Sequence, residues 1–171
     1  MLPMEKMIDT FGREINYLRI SVTDRCNLRC VYCMPPYGVA QKDPHEILTF
    51  EEVNTIVRLM SALGIHKIRI TGGEPLVRKD IVKLIASLSK IPGIDDVSLT
   101  TNGLLLARYA QELKESGLQR INVSLDTLND TKFSFITKGG VLSKVLEGIN
   151  EAKNRGFFIK LNTVVMQGIN T

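Results

Sequence analysis

The chain has no tryptophan, only two histidines and three cysteines in 171 residues, and aromatic side chains make up just 6% of it. His45 and His66 are not at finger-like spacing, so a zinc-finger module is not indicated. An odd set of three cysteines is a poor disulfide framework, which argues against a small cross-linked secreted domain. No apolar run approaches the roughly 20 residues that a membrane span needs. Met1–Met7 lacks the basic segment and apolar stretch of a secretory signal. A cytoplasmic protein is therefore expected, with no membrane as partner. Lys and Arg outnumber Asp and Glu by 22 to 18, a net charge of +4. These charges are spread along the chain and form no nucleic-acid-binding patch. Gly/Ser linkers, low-complexity tracts and internal repeats are also missing, so residues 1–171 are read as one unit.

The sequence does contain a regular alternation. Strand patterns fall at Tyr17–Val22, Lys67–Thr71, Asp96–Thr101, Arg120–Leu125 and Phe158–Val165. Helical patterns fall between them at Thr49–Leu63, Lys79–Ser89, Leu104–Ser116 and Lys144–Asn154. Thr49 with Glu52 fits a capping box, and Gly64, Gly117 and Gly156 stand where helix C-caps belong. Repeated β-loop-α units predict a parallel sheet.

Parallel strands covered on both faces are apolar throughout. These are not. Leu18, Ile20 and Val22 oppose Tyr17, Arg19 and Ser21; Ile68 and Ile70 oppose Arg69 and Thr71; Val97 and Leu99 oppose Ser98 and Thr100. Ile121, Val123 and Leu125 oppose Asn122, Ser124 and Asp126, and Ile159 and Leu161 oppose Lys160 and Asn162. Helices on the apolar face and a polar inner face describe a (β/α) TIM-type barrel with a ligand-binding lumen. Arg19, Arg69 and Lys160 in that lumen are costly unless an anion meets them. Five strands cannot close such a barrel. The expectation is a partial barrel with an open edge at its fifth strand, the front part of a longer protein.

Cys26, Cys30 and Cys33 follow the first strand with C-x3-C-x2-C spacing, on the loop end where barrel active sites lie. The same spacing marks one helix face, so core packing is one reading. Structural zinc is another, although it normally takes four protein ligands. An iron–sulfur cluster on three thiolates is the third, and it leaves one iron open for a ligand.

With Tyr32 before Cys33, the motif resembles that of the radical S-adenosylmethionine (SAM) enzymes, and Gly72-Gly73-Glu74-Pro75 resembles their GGEP motif. Within that superfamily, Arg19–Asn27, Cys33–Pro35, Lys67–Leu76, Leu99–Gly103 and Arg120–Asp126 resemble the GTP 3′,8-cyclases of molybdenum cofactor biosynthesis. The resemblance runs from about Tyr17 to Thr171. It implies a 4Fe–4S cluster on Cys26, Cys30 and Cys33, with SAM chelated to the fourth iron. It implies SAM contacts at Tyr32, Gly72, Gly73, Glu74 and Ser124, and GTP contacts at Arg19, Arg69, Thr100 and Lys160. It further implies that one electron from the cluster cleaves SAM to methionine and a 5′-deoxyadenosyl radical, which takes hydrogen from C3′ of GTP so that C3′ joins guanine C8.

The implied partners are an electron donor and cyclic pyranopterin monophosphate synthase as the next enzyme, with a homodimer also open. The family's second 4Fe–4S cluster and Gly-Gly tail belong to a C-terminal half that these 171 residues do not contain, so the chain is expected to be catalytically incomplete. The alternatives are a radical SAM enzyme for another substrate, or a non-catalytic metal-binding module. At single positions, Ser124 could be a hydroxyl satisfied by water, and the lumen cations could pair with Asp126 or Glu74.

Overall fold

Period-two patterning produces one sheet. The computed structural model describes residues 7–35 and 37–171; the readings of Met1–Lys6 and of Pro36 fall outside them. Strands β1 (Tyr17–Ser21), β2 (Lys67–Thr71), β3 (Asp96–Thr101), β4 (Arg120–Ser124) and β5 (Phe158–Asn162) pair in parallel in the order β1-β2-β3-β4-β5. The helices are α1 (Phe50–Ala62), α2 (Ile81–Leu88), α3 (Leu106–Glu115), α4 (Asp130–Thr137) and α5 (Leu142–Asn154). Strand order that follows chain order, with crossovers of one hand, puts every helix on the same face. A doubly wound sheet reverses at a switch point, and this sheet has none. The structure is thus a run of barrel wall, with β1 and β5 as its edges among the described residues.

The core is the apolar parity of the strands against the helices. Ile68, Ile70, Val97, Leu99, Ile121 and Val123 are buried against Val57 of α1, Leu84 and Ile85 of α2, Leu113 of α3 and Val145 of α5. The capping box forms: Thr49 Oγ1 accepts from Glu52 N, and Thr49 N donates to Glu52 Oε2 at 2.7 Å. Gly64, Gly117 and Gly156 all take positive φ as expected of C-caps.

Three differences from the sequence reading have local causes. First, α4 was not anticipated. Its apolar residues are few, and Phe135 faces solvent at 55% exposure, so no clean period shows. Its N-cap, Asn129, does accept from Lys132 N at 2.9 Å. Second, β5 stops at Asn162 rather than Val165. Beyond it the chain is captured by the end of β4: Thr163 Oγ1 donates to Leu125 O, and Val164 N donates to Asp126 Oδ1. Third, the inner face is not uniformly open. Ser98 and Asn122 are buried because they are short and flanked in register by longer chains, Arg69 and Arg120 beside Ser98, Lys160 beside Asn122. On β5 the parity fades, and Leu161 is 52% exposed, because among the described residues no later helix packs over it.

Candidate functional site: a cysteine loop above a cationic lumen

The cysteine loop leaves the C-terminal end of β1 and is fastened at several points. Arg29 N donates to Thr137 O at 3.2 Å and Val31 N to Ile136 O at 2.9 Å, so the C-terminus of α4 is its seat. Tyr32 Oη donates to Asp126 Oδ2 at 2.8 Å, tying the loop to the end of β4. Asn102 Nδ2 reaches Asn27 Oδ1 at 2.8 Å and lies 3.9 Å from Cys26 Sγ. Cys33 N and Met34 N both donate to Cys30 O, curling the segment into a turn.

The three cysteines are free thiols, two partly buried and Cys33 exposed. Burial pushes the Cys26 thiol up, and it pushes Cys30 up to about 11 with help from the nearby charges of Cys26 and Cys33. Burial, and then the hydrogen bond and charge of Asp126, hold the Tyr32 phenol protonated far above its ordinary range.

The Gly72-Gly73-Glu74-Pro75 loop follows β2 and lies directly under the cysteine loop. Gly73 N donates to Thr23 O and Glu74 N to Arg25 O, both at 2.7 Å. A Cβ on Gly73 would sit 2.2 Å from Arg25 O, and one on Gly72 2.6 Å from Thr23 O. The missing side chains leave room for the backbone of Thr23 and Arg25 to approach.

Glu74 is 1% exposed, its Oε1 accepts from Leu76 N and Thr101 Oγ1, and its Oε2 accepts from Asn102 N at 2.7 Å. Its carboxylate joins the rims of β2 and β3. Burial nonetheless raises its pKa, against those three hydrogen bonds. Ser124 ends β4 in register with Asn162.

Below the rim, Arg19, Arg69, Thr100 and Lys160 line one cavity of about 220 Å³, together with Asn122 and Asn162. All four predicted anion contacts are therefore brought together. Among the described residues, no ion pair neutralises Arg19, Arg69 or Lys160: Asp126 is taken by Tyr32 and Val164, and Glu74 by the three donors above. Arg120, on the same face, is instead paired through both Nε and Nη2 with Asp96. Arg69 also lies 5.3 Å from the centre of the Tyr17 ring.

The family model for the radical SAM superfamily matches residues 20–171. The chain belongs to the radical SAM superfamily. It is 60% identical over 165 residues to the GTP 3′,8-cyclase of Peptoclostridium acidaminophilum, covering 96% of this chain and 51% of that protein. To the GTP 3′,8-cyclase of Alkaliphilus oremlandii it is 57% identical, covering 96% and 52%. The chain thus spans about half the length of the curated relatives it matches.

Two solved structures share the fold at low identity. Streptococcus suis SuiB bound to precursor peptide SuiA superposes with a TM-score of 0.75 at 20% identity, covering 88% of this chain and 33% of that one. Methylornithine synthase (PylB) gives 0.70 at 17%, covering 90% and 45%.

Membership of the radical SAM superfamily implies a 4Fe–4S cluster and SAM, and the donor chemistry here fits. Three soft thiols share one loop and sense each other's charge. Among the described residues no group of three His, Cys, Asp or Glu side chains is gathered tightly enough for a metal ion. A four-iron cluster takes one thiolate per iron. Core packing is excluded for Cys33, which is exposed.

The sequence reading missed Asn102, α4 as the seat of the cysteine loop, and Asp126 as the clamp on Tyr32. Asn102 lies in a segment already singled out, but its role depends on contacts 75 and 76 positions away. Of the two histidines, His66 pairs with Asp95 at 3.0 Å before β2, away from the rim.

Proposed function

We propose that this chain is the cluster-bearing portion of a GTP 3′,8-cyclase. The observation that carries the reading is the lumen cavity, where Arg19, Arg69 and Lys160 converge with Thr100 and, among the described residues, no carboxylate lines the cavity with them. Three uncompensated cations around one small cavity favour a polyanion such as a triphosphate. Identity with GTP 3′,8-cyclases supports the same substrate.

In this reading Cys26, Cys30 and Cys33 hold the 4Fe–4S cluster, and Tyr32, Gly72, Gly73, Glu74 and Ser124 form the SAM site. When bound, these groups supply the radical that removes the C3′ hydrogen of GTP, so that C3′ joins guanine C8. The chain's own residues do the positioning. Arg19, Arg69 and Lys160 hold the phosphates, and Thr100 orients them. Asp126 and α4 fix the cysteine loop above them. A second cluster and the rest of the pocket wall belong to the remaining half of the relatives' length, so these 171 residues alone do not complete the cyclisation. An electron donor serves the cluster, cyclic pyranopterin monophosphate synthase takes the product, and the setting is the cytoplasm.

The test is equilibrium binding of GTP to the chain and to its Arg19→Ala and Lys160→Ala variants. A loss of roughly tenfold or more per cation is expected. Unchanged affinity in both variants sinks the substrate assignment and leaves a radical SAM protein for another substrate.

A further inference from the structure

We infer that Asn122 is a phosphate-contacting residue of this cavity, donating through its side-chain amide to a substrate oxygen; the inference rests on the proposed nucleotide reading of the same site. Asn122 stands mid-β4, flanked in register by Thr100 on β3 and Lys160 on β5. It is 8% exposed and lines the cavity with Arg19, Arg69 and Lys160. Its Nδ2 is buried and has no hydrogen-bond partner. Leaving a buried donor unpaired is costly, and native proteins rarely do so without a use for it. Asn is also a poor strand residue, so packing does not account for it where Val would fill the space.

The unpaired atoms share a pattern. Among the described residues, the buried side-chain atoms without partners are Asn122 Nδ2, Arg69 Nε and Tyr17 Oη. All three can donate, and all belong to the inner parity of the sheet. Two of them, Arg69 Nε and Asn122 Nδ2, belong to residues that line the cavity, which therefore has surplus donors and surplus positive charge. A ligand that matches it offers acceptors alone, as ionised phosphate oxygens do; a ribose or guanine edge would bring donors of its own. Lys160 beside Asn122 in register places the same negative charge within reach of both.

The experiment is calorimetric titration of the full chain with GTP, tripolyphosphate and guanosine. Asn122→Val removes both polar atoms at similar volume, and Asn122→Asp replaces the donor with a negative acceptor. Expected is a roughly tenfold or greater loss for GTP and tripolyphosphate with Val, and a larger loss with Asp. Guanosine affinity should not change, and the Val variant should be at least as stable as the parent because no orphan donor remains. Should the Asp variant fail to fold, Val and a donor-retaining Asn122→Ser decide. Tripolyphosphate binding that survives in Asn122→Val but is lost in Arg19→Ala overturns the role of Asn122 while the cavity reading stands. No binding of GTP or tripolyphosphate by the parent chain overturns both.

Discussion

Tyr32 and Asp126, 94 positions apart, are joined by a 2.8 Å hydrogen bond that carries the cysteine loop onto the end of β4. Asp126 accepts from Val164 N through its other oxygen, so one buried carboxylate holds three segments of the rim. Tyr32→Phe removes a single donor and is expected to cost about 1 kcal/mol. Asp126→Ala leaves two donors unpaired and is expected to cost more, about 2–3 kcal/mol. Urea unfolding of both variants checks the order.

Gly73 has no room for a side chain, because its Cβ would meet backbone rather than a flexible tip. Gly73→Ala is expected to push the Thr23–Arg25 segment off its seat. The cost should reach several kcal/mol, with reduced iron loading of the adjacent cysteines. Gly12→Ala, where a Cβ meets nothing within 4 Å among the described residues, serves as the control. It should cost about 1 kcal/mol for its positive φ and leave iron loading intact. Iron and sulfide assays after anaerobic reconstitution separate the two.

Glu74 gives the chain a defined pH response. Burial raises its folded-state pKa above the ordinary Glu value of about 4.3. The folded state then binds the proton more tightly than the unfolded one, so this group's contribution is fully present below the unfolded pKa. It declines as pH rises through the folded-state pKa. Relative to a Glu74→Gln variant, the parent should lose stability across that window on going from acid toward neutral pH. The variant should itself lose about 1–3 kcal/mol, because its amide turns a donor toward Asn102 N–H. Unfolding free energies of both proteins, measured across the window, test the sign.

Arg120 is the lumen cation already matched, by Asp96. Asp96→Asn should release its charge into the cavity. Stability should fall by about 1 kcal/mol, since the pair is partly exposed. Affinity for tripolyphosphate should rise, and titration at low and high salt checks that the gain is electrostatic.

Each of Cys26→Ala, Cys30→Ala and Cys33→Ala should abolish the brown colour and the reduced-state EPR signal expected of the reconstituted chain. In the parent, added SAM should alter that signal, because three thiolates leave one iron open. A colourless folded parent would return the zinc reading.

Much of the fold was readable because its cause is local. The parity of Arg69 against Ile68 and Ile70 needs only the alternation of a strand. The start of α1 needs only Thr49 and Glu52. Cys26, Cys30 and Cys33 lie so close in sequence that they share one segment whatever holds it in place. Helix α4 was hidden because Phe133 and Ile136 are buried through contacts the sequence does not show, while Phe135 faces out. The fate of Glu74 was hidden for a similar reason: its donors Thr101 and Asn102 belong to the next strand unit.

Sequence alone determined which side chains share the inner face, because side-chain direction along a strand depends on nothing beyond the strand. Only the tertiary structure decided which of those side chains are left without partners. Charge compensation is set by distances between strands, and those distances neutralise Arg120 with Asp96 while leaving Arg19, Arg69, Lys160 and the amide of Asn122 turned to one cavity.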